Sequence, residues 1–187
     1  MKKLFCGLLA LCILFAFSGC GKAKTSSGDE EMDFEYFLKL GKIPECSYAL
    51  GADVSIVKAG LSTASAKNPD SVFEMTEGER SVRLMTNEFT YYYEKAKEAK
   101  GLSYIIGFGT SFGLSVGTIS IEVEEKLATT KLKKVSATAD DAFFMPTADD
   151  YSVLKYTQED GNNVILFVFV ENGLCAVAVY DSSNWTI

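Results

Sequence analysis

Residues 164–170, VILFVFV, are apolar at both alternations of a strand, and so, nearly, are residues 174–180, LCAVAVY. Successive strand side chains point to opposite faces, so neighbouring strands of this composition need cover on both faces of their sheet. A one-sided sheet does not fit this part of the chain. The second cover is either another part of the same chain or a partner; left bare, the segment is an aggregation hazard.

Around this segment the pattern predicts an antiparallel meander. Ser81–Thr86, Phe89–Glu94 and residues 102–108 form one set of strands, and Tyr151–Thr157, Asn163–Val170 and residues 174–180 form another. Asp160-Gly161 and Asn172-Gly173 fall between strands of the second set, where a glycine can take the positive φ of a tight hairpin. Helices are read from apolar spacing. Residues 33–40 place Phe34, Phe37 and Leu38 on one face, and Gly41 and Pro44 end the helix. From Gly51 the chain offers an Asp53 cap and then Val54, Val57 and Leu61; from Gly117 it offers Ile119, Val123 and Leu127.

The two halves overlay. Gly51 and Leu61 fall on Gly117 and Leu127 at an offset of 66. Ser81, Val82, Thr86 and Glu88 fall on Ser152, Val153, Thr157 and Glu159 at 71, and Gly101-Leu102 on Gly173-Leu174 at 72. The drift needs only small loop insertions, which are thermodynamically cheap. The fold class expected is α+β: two tandem helix-plus-antiparallel-meander repeats, residues 50–110 and 111–187, with their sheets side by side, preceded by an N-terminal helix and connector at 33–49.

The amino terminus is an address. Lys2 and Lys3 precede an apolar run at 4–17, too short for a membrane span of about 20 residues. The run ends in Phe17-Ser18-Gly19-Cys20, which resembles the lipobox of bacterial lipoproteins, with Phe17 a departure from the more usual Leu. The resemblance implies a signal peptide over 1–19, cut before Cys20, and a diacylglycerol on the Cys20 thiol, placing the chain outside the cytoplasm on a bacterial cell membrane. Residues 20–32 then read as a disordered polar tether, GKAKTSSGDEEM after the cysteine, reaching at most about 40 Å. Behind this lipobox, a Gly-opened helix followed by a hairpin-rich sheet, twice over, resembles the β-lactamase-inhibitor-protein-like lipoproteins; Leu50-Gly51 through Val57 carries the Leu-Gly-x-x-x-x-x-Val pattern of related small-lipoprotein repeats. That resemblance implies a fold, not inhibition of any enzyme.

Composition narrows the function. The chain has 18 Lys+Arg, 25 Asp+Glu and no His, for a net charge of −7. The acidic balance argues against nucleic acid as a partner. Losing Lys2 and Lys3 makes the surface more acidic still, so lipid on Cys20, not the folded body, must provide the membrane contact. Without His, Gly109-Thr110-Ser111-Phe112-Gly113 and Gly113-Leu114-Ser115-Val116-Gly117 match the serine-hydrolase elbow but lack its base. Ser55-Ile56-Val57-Lys58 and Ser152-Val153-Leu154-Lys155 match S-x-x-K without the accompanying S-D-N and K-T-G. Asp140-Asp141 and Asp149-Asp150 read as solvated turn carboxylates rather than a calcium loop, and no metal or other cofactor is expected. Cys46 and Cys175, the thiols left if Cys20 is acylated, permit one disulfide, against which stands the apolar strand around Cys175.

The expected function is therefore that of a membrane-anchored, non-catalytic protein-binding module of the cell envelope. The alternatives are an envelope hydrolase using a Ser-Lys or carboxylate site and a structural component of an envelope assembly. If Val82 and Leu84 face the helices, Arg83, Met85 and Tyr92 point to the other side; aligned at 71, so do Leu154 and Tyr156. These five residues form the expected binding surface, being of the kinds enriched at protein interfaces.

Overall fold

The computed structural model describes residues 33–186, apart from 69 and 146–150. The expected signal peptide, Cys20 and the tether lie outside these residues. The three expected helices form as α1 (Phe34–Lys39), α2 (Val54–Lys67) and α3 (Ser120–Leu127). Asp33 caps α1 by accepting from the Tyr36 N–H at 2.9 Å. The helix stops where Gly41 turns left-handed (φ 61°), its N–H donating to Leu38 O while Lys42 N–H donates to Phe37 O. Asp53 caps α2 through the N–H groups of Ser55 and Ile56. Ile119, expected on the buried side of α3, instead stands at its N-cap and is exposed; Val123 and Leu127 carry the packing.

Eight strands follow one another antiparallel: β1 (Phe73–Glu77), β2 (Ser81–Thr86), β3 (Phe89–Glu94), β4 (Tyr104–Phe108), β5 (Lys133–Val135), β6 (Tyr151–Thr157), β7 (Asn163–Val170) and β8 (Gly173–Asp181). They make one sheet in the order β1-β2-β3-β4-β8-β7-β6-β5. The arrangement is α+β, but not two sheets: β4 pairs with β8 from Tyr104↔Tyr180 to Phe108↔Ala176, so the ladder runs unbroken across the middle. The outermost strands β1 and β5 escaped the sequence pattern because neither alternates. FEMTE and KKV are largely exposed edges with charges on both parities.

All three helices cover one face. Phe34 and Leu38 of α1, Val54, Val57 and Leu61 of α2, and Val123 and Leu127 of α3 pack with Val82, Leu84, Tyr91, Ile105, Ile165, Phe167 and Val179 of the sheet. The opposite parity of β7 and β8 (Val164, Leu166, Val168, Ala176, Ala178, Tyr180) forms a second core with Tyr92, Tyr104, Ala142 and Trp185. The chain thus supplies its own second cover, from the 3₁₀ segment Ala139–Ala142, the residues just after it, and Trp185.

The same junction occurs twice. Gly51 N–H donates to Leu102 O at 2.8 Å and Leu102 N–H to Ala52 O at 3.0 Å; Gly117 N–H donates to Leu174 O at 2.9 Å and Leu174 N–H to Thr118 O at 2.8 Å. The Asn172-Gly173 turn differs from expectation. Glu171 and Asn172 hold the positive φ values (50° and 67°), and Gly173 serves close approach, since a Cβ there would stand 3.1 Å from Gly117 Cα. Gly161 does not take positive φ either.

Candidate interaction site on the sheet

The second face has a covered centre and an open flank. At the centre, Tyr104 and Tyr180 stack at 5.1 Å, and the rings of Tyr92, Phe143 and Trp185 stand edgewise or tilted around Tyr104. Asp141 lies beneath this cluster, only 3% exposed. Its carboxylate accepts from Lys155 Nζ at 2.7 Å, Tyr180 OH at 3.1 Å and Thr138 N–H at 2.7 Å, and its backbone carbonyl accepts from Tyr104 OH at 2.9 Å. Burial pushes the Asp141 carboxyl up, but the hydrogen bonds from Lys155 and Thr138 outweigh it and hold the group below the ordinary aspartate value. Burial pulls the Lys155 ammonium down; its hydrogen bond to Asp141 more than restores it, and its affinity for the proton rises. Burial also raises the Tyr104 phenol well above its usual range. Asp141 is therefore the ionic centre of a packed network, not the solvated turn carboxylate read from sequence.

Beside this cap, on β1 and β2, the face opens, whereas β3 stays buried. Arg83 and Met85 are half-buried. Arg83 donates to Thr76 Oγ1 at 3.2 Å and lies across the ladder from Tyr92. Tyr92 is mostly covered, touching Phe143 at 5.2 Å and Trp185 at 5.8 Å between ring centres. It is the wall where the open flank meets the aromatic cap.

Leu154 and Tyr156 do not join this surface. Both belong to the helix side, with Leu154 across from Phe167 and Tyr156 across from Ile165. The offset of 71 pairs Val82 with Val153, which packs on the other face. An offset of 72 pairs Val82 and Leu84 with Leu154 and Tyr156, and a slip of one residue exchanges the faces of a whole strand.

The serine motifs do not assemble. Ser111 and Leu114 close a two-residue hairpin around Phe112 and Gly113, and Ser111 is buried rather than presented between a strand and a helix. Phe112 holds φ 56° and stacks on Phe34 at 5.0 Å. Ser55 Oγ donates to the cap carboxylate of Asp53, while Lys58 pairs with Glu98 at 3.6 Å and lies over the Tyr93 ring. Ser152 and Lys155 differ in strand parity and so leave β6 on opposite faces. Cys46 and Cys175 are free thiols. Cys46 packs in the helix-side core and donates to Tyr91 OH and Tyr48 O, whereas Cys175 packs against the other core, so the sheet separates the pair weighed as a disulfide. Among the described residues no cluster of three or more metal-ligating side chains occurs, and no helix is long and apolar enough to cross a membrane.

A second feature is absent from the sequence reading. On the helix side, a cleft of about 520 Å³ opens between α3 and β5–β6, lined by Ile121, Glu124, Leu127, Leu132, Lys134 and Tyr156 among others. Helix length explains it: α2 has 14 residues and packs against β1, whereas α3 has 8 and stops short. Comparison with family models, curated proteins and solved structures finds no match to the chain.

Proposed function

We propose that the chain is an extracytoplasmic lipoprotein, held at a bacterial cell membrane by acyl chains on Cys20 and acting as a non-catalytic protein-binding module. The anchor rests on the order of basic start, apolar run, small residues and cysteine in the first 20 positions. We read the body as two tandem units, α2 with β1–β4 and α3 with β5–β8. The repeated Gly51–Leu102 and Gly117–Leu174 junctions support that reading.

The observation that carries the binding role is the open flank beside the aromatic wall. Arg83 and Met85 combine a guanidinium with a flexible apolar side chain, and Tyr92, across the ladder from Arg83 and packed on Phe143 and Trp185, walls them on one side. Such surfaces hold protein partners by a few anchor residues. A photo-crosslinking residue placed at Met85 of the full-length chain in living cells is expected to give one discrete adduct. The same probe at Ile56, exposed on the helix side, is expected to give none. Equal, diffuse labelling from both positions would remove the binding role from this flank.

A further inference from the structure

The two free edges of the sheet are complementary to each other. Strand β1 pairs only with β2, and β5 only with β6, among the described residues. The β1 edge carries Glu74 and Glu77 with Glu79 just beyond; the β5 edge carries Lys133 and Lys134 with Lys131 just before. Exposed unpaired edges are templates for further strand addition.

Three geometric facts bring these edges into register with one another. The eight strands alternate in direction, so the first and last run in opposite senses. A second copy set alongside, without turning over, presents its β1 antiparallel to β5, helix face continuing helix face. Next, Met75 lies across from Leu84 on the helix side and is 51% exposed, an unburied apolar knob on that edge. The cleft over β5–β6 opens on the same side, with Ile121, Leu127, Leu132 and Tyr156 as its apolar lining. Finally, Lys133 leaves β5 on the face opposite Lys134, because Lys134 pairs with Tyr156 of the helix side. Glu74 leaves β1 on that same opposite face, alternating with Met75.

We infer that the chain self-associates head to tail: β1 of one copy adds to β5 of the next, Met75 enters the neighbour's cleft, and Glu74 meets Lys133. The existing pairs Lys133–Glu159, Lys134–Glu124 and Lys95–Glu77 are exposed and each is worth little, so exchanging them costs little. The contact joins two different patches. Sheet twist turns each added copy, so the array is an open helix and not a closed ring. Two short strands and one side chain bury far less than a stable interface of about 1,600 Å², so association is weak and salt-sensitive, and favoured where the copies are concentrated. The inference is independent of the Arg83–Met85 flank and of whatever binds there.

The test uses the full-length chain in membranes under mild oxidation. Chains carrying Glu74→Cys and Lys133→Cys are produced together and separately. Cross-strand neighbours stand about 4.5–5.5 Å apart between Cα atoms, within disulfide reach. The expected result is a dimer in the mixture, absent from either single variant, and a ladder of multimers from one chain carrying both cysteines. Carrying out the oxidation in 1 M salt, which screens the remaining Glu77, Glu79, Lys131 and Lys134 charges, should lower the yield several-fold, and Met75→Asp added to the Glu74→Cys chain should abolish it. No mixed dimer, or a dimer from Glu74→Cys alone, which would mean symmetric β1–β1 pairing, would overturn the inference. Circular dichroism of each variant separates loss of contact from loss of fold.

Discussion

Asp141→Ala is expected to lower the unfolding free energy by about 3 kcal/mol. The substitution strands the Lys155 ammonium, whose side chain is 19% exposed, and leaves the Tyr180 hydroxyl and the Thr138 N–H without their acceptor. Each orphaned group adds a desolvation cost of its own. Replacing both partners, Asp141→Ala with Lys155→Met, should restore more than half of the loss, because no buried charge then remains. Chemical denaturation of the three variants measures both effects. The pH dependence has a fixed sign. The Asp141 carboxyl is depressed in the folded state, so its contribution is full above the unfolded aspartate value of about 3.9 and fades as pH falls through the folded value. The Lys155 ammonium is raised, so its contribution is full below about 10.4 and fades as pH climbs through the folded value. The contribution of this ion pair should therefore be constant between about pH 5 and 10 and fade on both sides, and Asp141→Ala should flatten the acid drop in stability.

Gly101→Ala is expected to be about as damaging, and for a different reason. Gly101 holds φ 80°, and a Cβ there would stand 2.5 Å from the carbonyl oxygens of Gly51 and Ala52. With ψ −157°, this backbone is open essentially to glycine alone and costs another residue about 1–3 kcal/mol, and overlap with unyielding backbone adds about 1–3 kcal/mol. A loss near 3 kcal/mol should lower the melting temperature by about 6–12 °C. Gly173→Ala is the informative partner: without positive φ, and with a Cβ 3.1 Å from Gly117 Cα, it should cost about 1 kcal/mol. Thermal melts that ranked the two in the reverse order would contradict this account of the two junctions.

Most of the architecture was legible because local patterns and tertiary burial agree here. Val54, Val57 and Leu61 have helical spacing behind an Asp cap, and β2, β3, β6 and β7 fall on the strands expected from the sequence. The doubly apolar β7 announced the need for a second cover. Its source was hidden, because the polar stretch ADDA gives no sign that Asp141 is buried by Lys155 fourteen residues later. The edges were missed for want of any apolar alternation. Leu154 and Tyr156 lie on the helix side because they match Val82 and Leu84 at an offset of 72 and not 71, and strand parity is wholly sensitive to a slip of one residue. The cleft over β6 depends on where α3 ends, and Leu127 carries no stop signal comparable to Gly41. Of the expected binding surface, Arg83, Met85 and Tyr92 share a face because all three depend only on the β2–β3 pairing that alternation predicted.

The intact mass of the polypeptide extracted from cell membranes bears most directly on the proposed tethering. The account predicts a chain that begins at Cys20 and carries a diacylglyceryl group on that sulfur. A chain that still begins at Met1, or one that begins at Cys20 with its thiol free, would contradict it.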